Sequence, residues 1–360
     1  MSLEAPAASP IQVLVVDDSA VARQAVATAV REQPDMDVAG LASNGRSALE
    51  QLRHVTPDVI VLDLEMPEMD GMAFLAQMRS DRSRIPVIVF SALTSDGAAA
   101  TLAAMAVGAS AYALKPTALR GSSQGTISSE LIPLIRAIGV AGRPIQSTPQ
   151  PTHRLTDRPT GPRTRGRITA VAIGVSTGGP NALAELLPSL PPDLPVPVLV
   201  VQHMPKVFTR LLAERLDAAV GLHVVEAAHG NTVVPGTVYI APGGRHMTVR
   251  TGVDGAEIAL NDDPPENSCR PAVDVLFRSV PAVYGAGVLG VVLTGMGSDG
   301  TAGSAAIVAA GGEVIVQEPT TAVVGSMPAS VLATGVTDVA LTLSEIAAEI
   351  DRRSRGPFRS

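Results

Sequence analysis

The 360-residue chain is predicted to form two doubly wound parallel-sheet α/β domains joined by a linker rich in proline and arginine. Three observations carry this expectation. Apolar runs alternate with helical patterns along both halves of the chain; several runs are apolar throughout, as parallel strands buried on both faces must be; and one polar segment interrupts the alternation. Length and composition agree, since 46% hydrophobic and 17% charged residues over this length suit two globular cores.

In the front half, "IQVLVVDD", "MDVAGLAS", "PDVIVLDL", "IPVIVFSA" and "AYALKP" read as five strands. Between and after them lie amphipathic segments: Ala48, Leu52 and Val55 share one helix face, and Ile127, Leu131, Ile135 and Ile138 share another. Strict β/α alternation with right-handed crossovers gives a parallel sheet. Residues 139–167, "GVAGRPIQSTPQPTHRLTDRPTGPRTRGR", hold too little apolar surface to offset the entropy of ordering and read as a linker. The back half has apolar runs at 168–175, 196–202, 236–241, 287–294 and 312–317. Helical spacing follows the first two, with Leu183, Leu186, Leu187 and Leu190, then Phe208, Leu212 and Leu216. The expected boundaries are a disordered N-terminus at 1–9, a front domain at 10–138, the linker, a back domain at 168–352 and a tail at 353–360.

A net charge of -7 argues against general affinity for nucleic acid or anionic membranes, and the linker arginines are interrupted by Pro and Thr without aromatic stacking platforms. The lone cysteine, Cys269, excludes an intrachain disulfide and fits a reducing cytoplasm. No apolar run approaches the roughly 20 residues that span a bilayer, and "MSLEAPAASP" lacks the pattern of a signal peptide.

Sites in open α/β sheets form at the carboxyl ends of strands. In the front half those ends carry Asp17 and Asp18, then Asp63, Ser91 and Lys115. Three crowded carboxylates repel one another and require a cation, for which hard oxygen ligands suit Mg²⁺; Lys115 supplies a point charge for a phosphoryl group. The competing reading is that Asp17 and Asp18 only cap the next helix. These residues make the front half, over roughly 10–138, resemble the response-regulator receiver family, whose fold is flavodoxin-like. The resemblance implies that Asp63 accepts a phosphoryl group from a sensor histidine kinase. It implies that Asp17, Asp18, Asp63 and the backbone carbonyl of Glu65 hold Mg²⁺, and that Ser91, Tyr112 and Lys115 form the switch.

In the back half, "GVSTG" fits the nucleophile-elbow pattern, with a strand before it and a helix after it. Gly174 and Gly178 leave room at a tight turn, Pro180 suits a first helical turn, and the N–H of Thr177 points with the helix dipole toward a developing oxyanion. A glycine-rich structural turn or phosphate loop is the competing reading. Of six histidines, His54 ends a helix, His153 lies in the linker, His223 sits in a strand-like run, and His229 and His246 fall in loops. His203 closes the strand after the serine unit. Asp299 follows "GVLGVVLTGMGS" at another strand end, whereas Asp262 and Asp263 lie in a loop. Ser176, His203 and Asp299 thus form a candidate acyl-transfer triad whose chain order differs from that of α/β-hydrolases, chymotrypsin and subtilisin.

The stretches "AIGVSTGGP", "VQHMP", "VYIAPGGRHM", "CRPAVDVLFRS", "TGMGSDGTAG" and "QEPTTAVVGSMPASV" make residues 168–352 closely similar to the catalytic domain of chemotaxis protein-glutamate methylesterases. The resemblance implies Ser176, His203 and Asp299 as triad, with Thr177 and Met296 at the oxyanion and substrate site. It further implies hydrolysis of γ-glutamyl methyl esters on methyl-accepting chemotaxis receptors, deamidation of receptor glutamines, no cofactor for the esterase, and occlusion by the unphosphorylated receiver. Ser326 stands where a bulkier pattern, with glycine next to Met-Pro, is expected. Two other classes compete: a binding module without catalysis, and an esterase or amidase for another substrate, since fold and triad do not name one. A transcription factor is excluded because no compact helix-turn-helix follows the linker.

Overall fold

The structure, a computed structural model, describes residues 9–116, 125, 127–141 and 167–356. It divides into two compact units, 1–142 and 143–360.

The first unit alternates β1 (Ile11–Val16), α1 (Ala20–Arg31), β2 (Met36–Ala42), α2 (Gly45–Gln51), β3 (Val59–Leu62), α3 (Gly71–Ser80), β4 (Val87–Ser91), α4 (Ser95–Val107) and β5 (Ala111–Leu114). A π-helical turn, Ile127–Leu131, then leads into α5 (Ile132–Ala141). All neighbouring strands pair parallel in the order β2-β1-β3-β4-β5. Leu14, Val16, Ile60, Leu62, Val87 and Val89 are buried with Phe74 and Leu75 from α3, which explains the unbroken apolar strands. Each of α1 to α4 begins where a short polar side chain accepts a backbone N–H: Ser19 from Ala22, Asn44 from Ser47, Asp70 from Ala73 and Thr94 from Gly97. The caps set the helix starts, and they hold the loops at the carboxyl edge of the sheet.

The second unit contains β6 (Ala170–Val175), α6 (Gly179–Leu186), β7 (Val198–Gln202), α7 (Lys206–Asp217), β8 (His223–Glu226), β9 (Thr237–Ile240), β10 (His246–Gly252) and β11 (Gly255–Asn261). After these come α8 (Val273–Tyr284), β12 (Val288–Val292), α9 (Thr301–Ala309), β13 (Glu313–Gln317), α10 (Ser326–Ala333), β14 (Ala340–Leu341) and α11 (Leu343–Arg355). Seven strands pair parallel in the order β14-β13-β12-β6-β7-β9-β8. The chain runs outward from β6 through β7 and returns to β12 on its other side. The loops after β6, β7 and β12 therefore meet where the strand order reverses.

Some elements differ from the sequence reading. β10 and β11 form an antiparallel hairpin outside the main sheet, and their half-polar alternation lacks the run of apolar residues that marked the other strands. His246, expected in a loop, opens β10 and is buried, its Nδ1 accepting the Ala272 N–H and its Nε2 donating to the Pro264 carbonyl. Leu187 and Leu190 fall beyond α6, because Pro188 has no N–H to continue the helix and the turn tightens at Leu187–Ser189. Leu52 and Val55 likewise lie past the last residue of α2. α5 runs through Ala141, where Gly139 packs closely on Ile11; residues 142–166 of the expected linker, and the expected disorder over 1–8, lie outside the described residues. α11 runs through Arg355, anchored by Arg353, which is 3% exposed and pairs with Glu313 and Glu349. Among the described residues no helix is long and apolar enough to cross a membrane.

Candidate functional site

At the carboxyl edge of the first sheet, Asp17 follows β1 and Asp63 follows β3, the adjacent strands between which the order reverses. Ligand atoms of Asp17, Asp18 and Asp63 all lie within 4.8 Å of one another. Asp17 and Asp63 are buried, and Asp18 and Glu65 are exposed. Lys115, just past β5, places Nζ 2.9 Å from Asp17 Oδ2 and 2.7 Å from Asp63 Oδ2. Burial raises the pKa of Asp63 despite the pull of Lys115, and the neighbouring Asp17 charge adds to the rise. Lys115 is itself raised, because its bonds to both carboxylates outweigh the cost of burying its charge. Neither Asp17 nor Asp18 is the helix cap: Ser19 caps α1, and Asp17 Oδ1 accepts the Ser19 N–H at 2.9 Å. The set of hard oxygens with one ammonium charge fits a small divalent cation and a phosphoryl group.

Ser91 ends β4 and is buried. Its Oγ lies 2.7 Å from Thr101 Oγ1 on α4 and donates to the Ala92 carbonyl at 3.3 Å. Tyr112 is half-buried in β5, opposite Val89. The cluster thus gathers Asp17, Asp18, Asp63 and Lys115, while the Ser91 hydroxyl is engaged with α4.

In the second unit Ser176 and Thr177 leave β6 and His203 leaves β7. Val175 pairs with Gln202, so Ser176 and His203 emerge side by side at the strand spacing of about 4.8 Å. The corner is tight for reasons visible atom by atom. A Cβ on Gly174 would run into Val273, Gly178 has φ +80°, and a Cβ on Gly179 would strike Gln202 Oε1. From the other side the loop after β12 closes in: a Cβ on Gly295 would lie 2.8 Å from the Ser176 Cβ, which leaves Met296, 42% exposed, at the rim.

Asp299 sits just before α9, 3% exposed, with its carboxylate saturated by donors. Oδ2 accepts from His203 Nε2 at 2.8 Å and the Val273 N–H at 2.7 Å. Oδ1 accepts from the N–H groups of Asp274 (3.0 Å) and Gly300 (2.9 Å) and from Asn267 Nδ2 at 2.9 Å. Burial alone would raise the pKa of Asp299; these donors, with His203 first, lower it. Burial works against a charged His203, yet Asp299 and the Cys269 sulfur overcome it and raise the imidazole from 6.5 to about 9. Cys269 Sγ lies 3.4 Å from His203 Nδ1. The ring is therefore held by Asp299 through Nε2, leaving Nδ1 as the nitrogen that can accept a proton.

The family model described as CheB methylesterase matches residues 171–350, and that of the response regulator receiver domain matches 13–121. A protein-glutamate methylesterase/protein-glutamine glutaminase of Nocardioides sp. is 46% identical over 349 residues, covering 95% of this chain and 95% of that one. The chain belongs to the CheB methylesterase family. Another family member, the Trichodesmium erythraeum protein of the same name, is 42% identical over 349 residues, 95% of this chain and 98% of that one. The crystal structure of the Thermotoga maritima CheB methylesterase catalytic domain matches 51% of this chain and 97% of its own, with 41% identity and a TM-score of 0.50.

Within this CheB family chain, several residues at the corner carry no motif of their own. Gln202, 1% exposed, donates through Nε2 to the carbonyls of both Ser176 (2.9 Å) and His203 (3.1 Å). Its signal in the sequence was a lone amide ending an apolar strand. Ser326, the departure from the expected pattern, donates to the Gly295 carbonyl at 3.0 Å and accepts the Gly297 N–H at 3.1 Å, so its hydroxyl spans the two residues flanking Met296. Asn267 and Cys269 reach the triad region from a loop whose Pro, Glu, Asn and Ser residues signalled only a turn.

Proposed function

We propose that the chain hydrolyses glutamate γ-methyl esters on methyl-accepting chemotaxis receptors, releasing methanol, and deamidates receptor glutamines, in the cytoplasm and under control of phosphorylation at Asp63. The receiver spans 10–138 and the esterase 168–352. The observation that carries this reading is the 2.8 Å bond from His203 Nε2 to Asp299 at the end of the strand beside Ser176. The curated relatives carry both activities in their names.

Ser176 Oγ attacks the ester carbonyl as His203 Nδ1 takes its proton; Asp299 supports the imidazolium through Nε2. Negative charge on the carbonyl oxygen is met by the N–H groups of Thr177 and Met296, for which no hydrogen-bond acceptor is found among the described residues. The C–O bond to the alkoxy group then breaks, His203 returns its proton to the leaving methanol, and water repeats the sequence to free the carboxylate. With a glutamine side chain the leaving group is ammonia.

In the receiver, Asp63 takes a phosphoryl group from a sensor histidine kinase. Asp17, Asp18, Asp63 and the Glu65 carbonyl would hold Mg²⁺, which when bound neutralises charge on the incoming phosphoryl oxygens. Lys115 and the Ser91 hydroxyl answer the new charge, and Tyr112 with them forms the switch. The unphosphorylated receiver restrains the esterase.

The test uses the full chain with membranes carrying receptors labelled on their methyl groups, and follows methanol release with and without acetyl phosphate and Mg²⁺. Ser176→Ala is expected to lower turnover by about 10⁴-fold or more. Asp63→Asn is expected to abolish stimulation, and removal of residues 1 to about 160 to raise the basal rate. Wild-type turnover in Ser176→Ala removes the serine from the mechanism, and absence of methanol release from the intact enzyme favours the non-catalytic binding module.

A further inference from the structure

Residues Glu266 to Cys269 form a minimal hairpin turn beside the triad region. The Glu266 N–H donates to the Cys269 carbonyl at 3.1 Å and the Cys269 N–H to the Glu266 carbonyl at 2.8 Å. Both central residues are left-handed, Asn267 at φ 52° and Ser268 at φ 62°. A two-residue turn with φ positive at both positions favours Asn or Gly at the first, which accounts for part of the residue choice but not all of it. The turn is tied down by Arg278 of α8, whose two terminal nitrogens donate to the two oxygens of Glu266.

The turn delivers the Asn267 amide between two buried carboxylates. Nδ2 lies 2.9 Å from Asp299 Oδ1 and 3.0 Å from Asp274 Oδ2. An amide nitrogen carries two hydrogens, so both bonds form together. Asp274 and Asp299 are each under 5% exposed, and their like charges oppose one another; Asp274 is raised by burial and by the Asp299 charge. The groups facing Asp299 are His203 after β7, Asp274 and Arg278 on α8, and Glu266 and Asn267 on the turn, while Cys269 of the turn faces His203 Nδ1. Among the described residues Asn267 is the one side chain that donates to both carboxylates.

We infer that Asn267 is a positioning residue: its amide bridges Asp274 and Asp299 and so aims Asp299 Oδ2 at His203 Nε2. This rests on the reading of Ser176, His203 and Asp299 as the triad. A glycine at this position keeps the left-handed backbone and removes the amide, which separates forming the turn from aiming the acid.

The experiment measures kcat, KM, the pH profile of kcat and the thermal midpoint for the full chain and Asn267→Gly, on a peptide bearing a glutamate γ-methyl ester. Ser176→Ala is run in parallel. Asn267→Gly is expected to lower kcat by about 10- to 100-fold with KM within about twofold. The rising limb of its pH profile is expected to move to lower pH, since an imidazolium less well supported by Asp299 releases its proton more readily. Asn267→Asp, which also tolerates the backbone but adds a third carboxylate, is expected not to rescue. Unchanged kcat and pH profile in Asn267→Gly, with Ser176→Ala inactive, overturns the role of Asn267 alone; so does a fall in kcat with an unmoved pH profile. Full activity of Ser176→Ala overturns the triad reading beneath it.

Discussion

Replacing Asp299 by Asn changes one oxygen into an NH₂ group at a place where every neighbour is a donor. With the amide nitrogen in the place of Oδ1, it faces the N–H groups of Asp274 and Gly300 and Nδ2 of Asn267. Three donors are then stranded. With the nitrogen in the place of Oδ2, it faces the Val273 N–H and His203 Nε2. The ring escapes by moving its hydrogen to Nδ1, which leaves one stranded N–H but removes the lone pair that would take the Ser176 proton. At about 1–3 kcal/mol per buried unsatisfied group, the better orientation costs about 1–3 kcal/mol of stability. The wrong tautomer costs about 10⁴-fold in kcat, as when other triad acids become amides. Methanol release measures the second effect and the denaturant midpoint the first. Turnover within about tenfold of wild type, in a variant as stable as wild type, would refute the argument that Asp299 acts through Nε2.

A raised His203 has two consequences with opposite pH signs. Its charged ring stabilises the fold fully below 6.5, and that contribution, about 3 kcal/mol, is lost as pH rises through about 9, so the midpoint of wild type should fall toward that of His203→Gln. Over the same interval kcat/KM should climb about tenfold per pH unit, and a flat profile between pH 7 and 9 counts against the raised imidazole. Gly174→Ala pushes a Cβ into Val273, whose N–H holds Asp299; the expected loss is about 1–3 kcal/mol together with lower kcat, and a wild-type midpoint would show that the corner has room. Lys115→Met leaves Asp17 and Asp63 without the ammonium between them, so its midpoint in EDTA should drop and Mg²⁺ should restore more stability than in wild type. Equal responses to Mg²⁺ would mean that Lys115 does not offset those charges.

Much of the layout was legible because parallel strands buried on both faces write themselves as apolar runs, and strand ends then point to Asp17, Asp63, Ser176 and His203. The β10–β11 hairpin was not legible: its strands mix polar with apolar residues and are only partly buried, so they lack the apolar run that marks the other strands. The same limit hid the supports of the triad region. Asn267 and Cys269 lie in a turn between β11 and α8, and which atoms they touch depends on a left-handed backbone that local sequence only permits. Which nitrogen of His203 faces Asp299 is set by how α8 and α9 frame the carboxylate, a three-dimensional fact with no sequence pattern.

Gln202 gives the corner a division of labour. Because one amide grips both the Ser176 and His203 carbonyls, alcohol and imidazole travel as a single rigid block carried by two neighbouring strands. The facing Gly295–Gly297 segment is fastened separately, by the two bonds of Ser326, so the two sides of the corner hang on independent anchors.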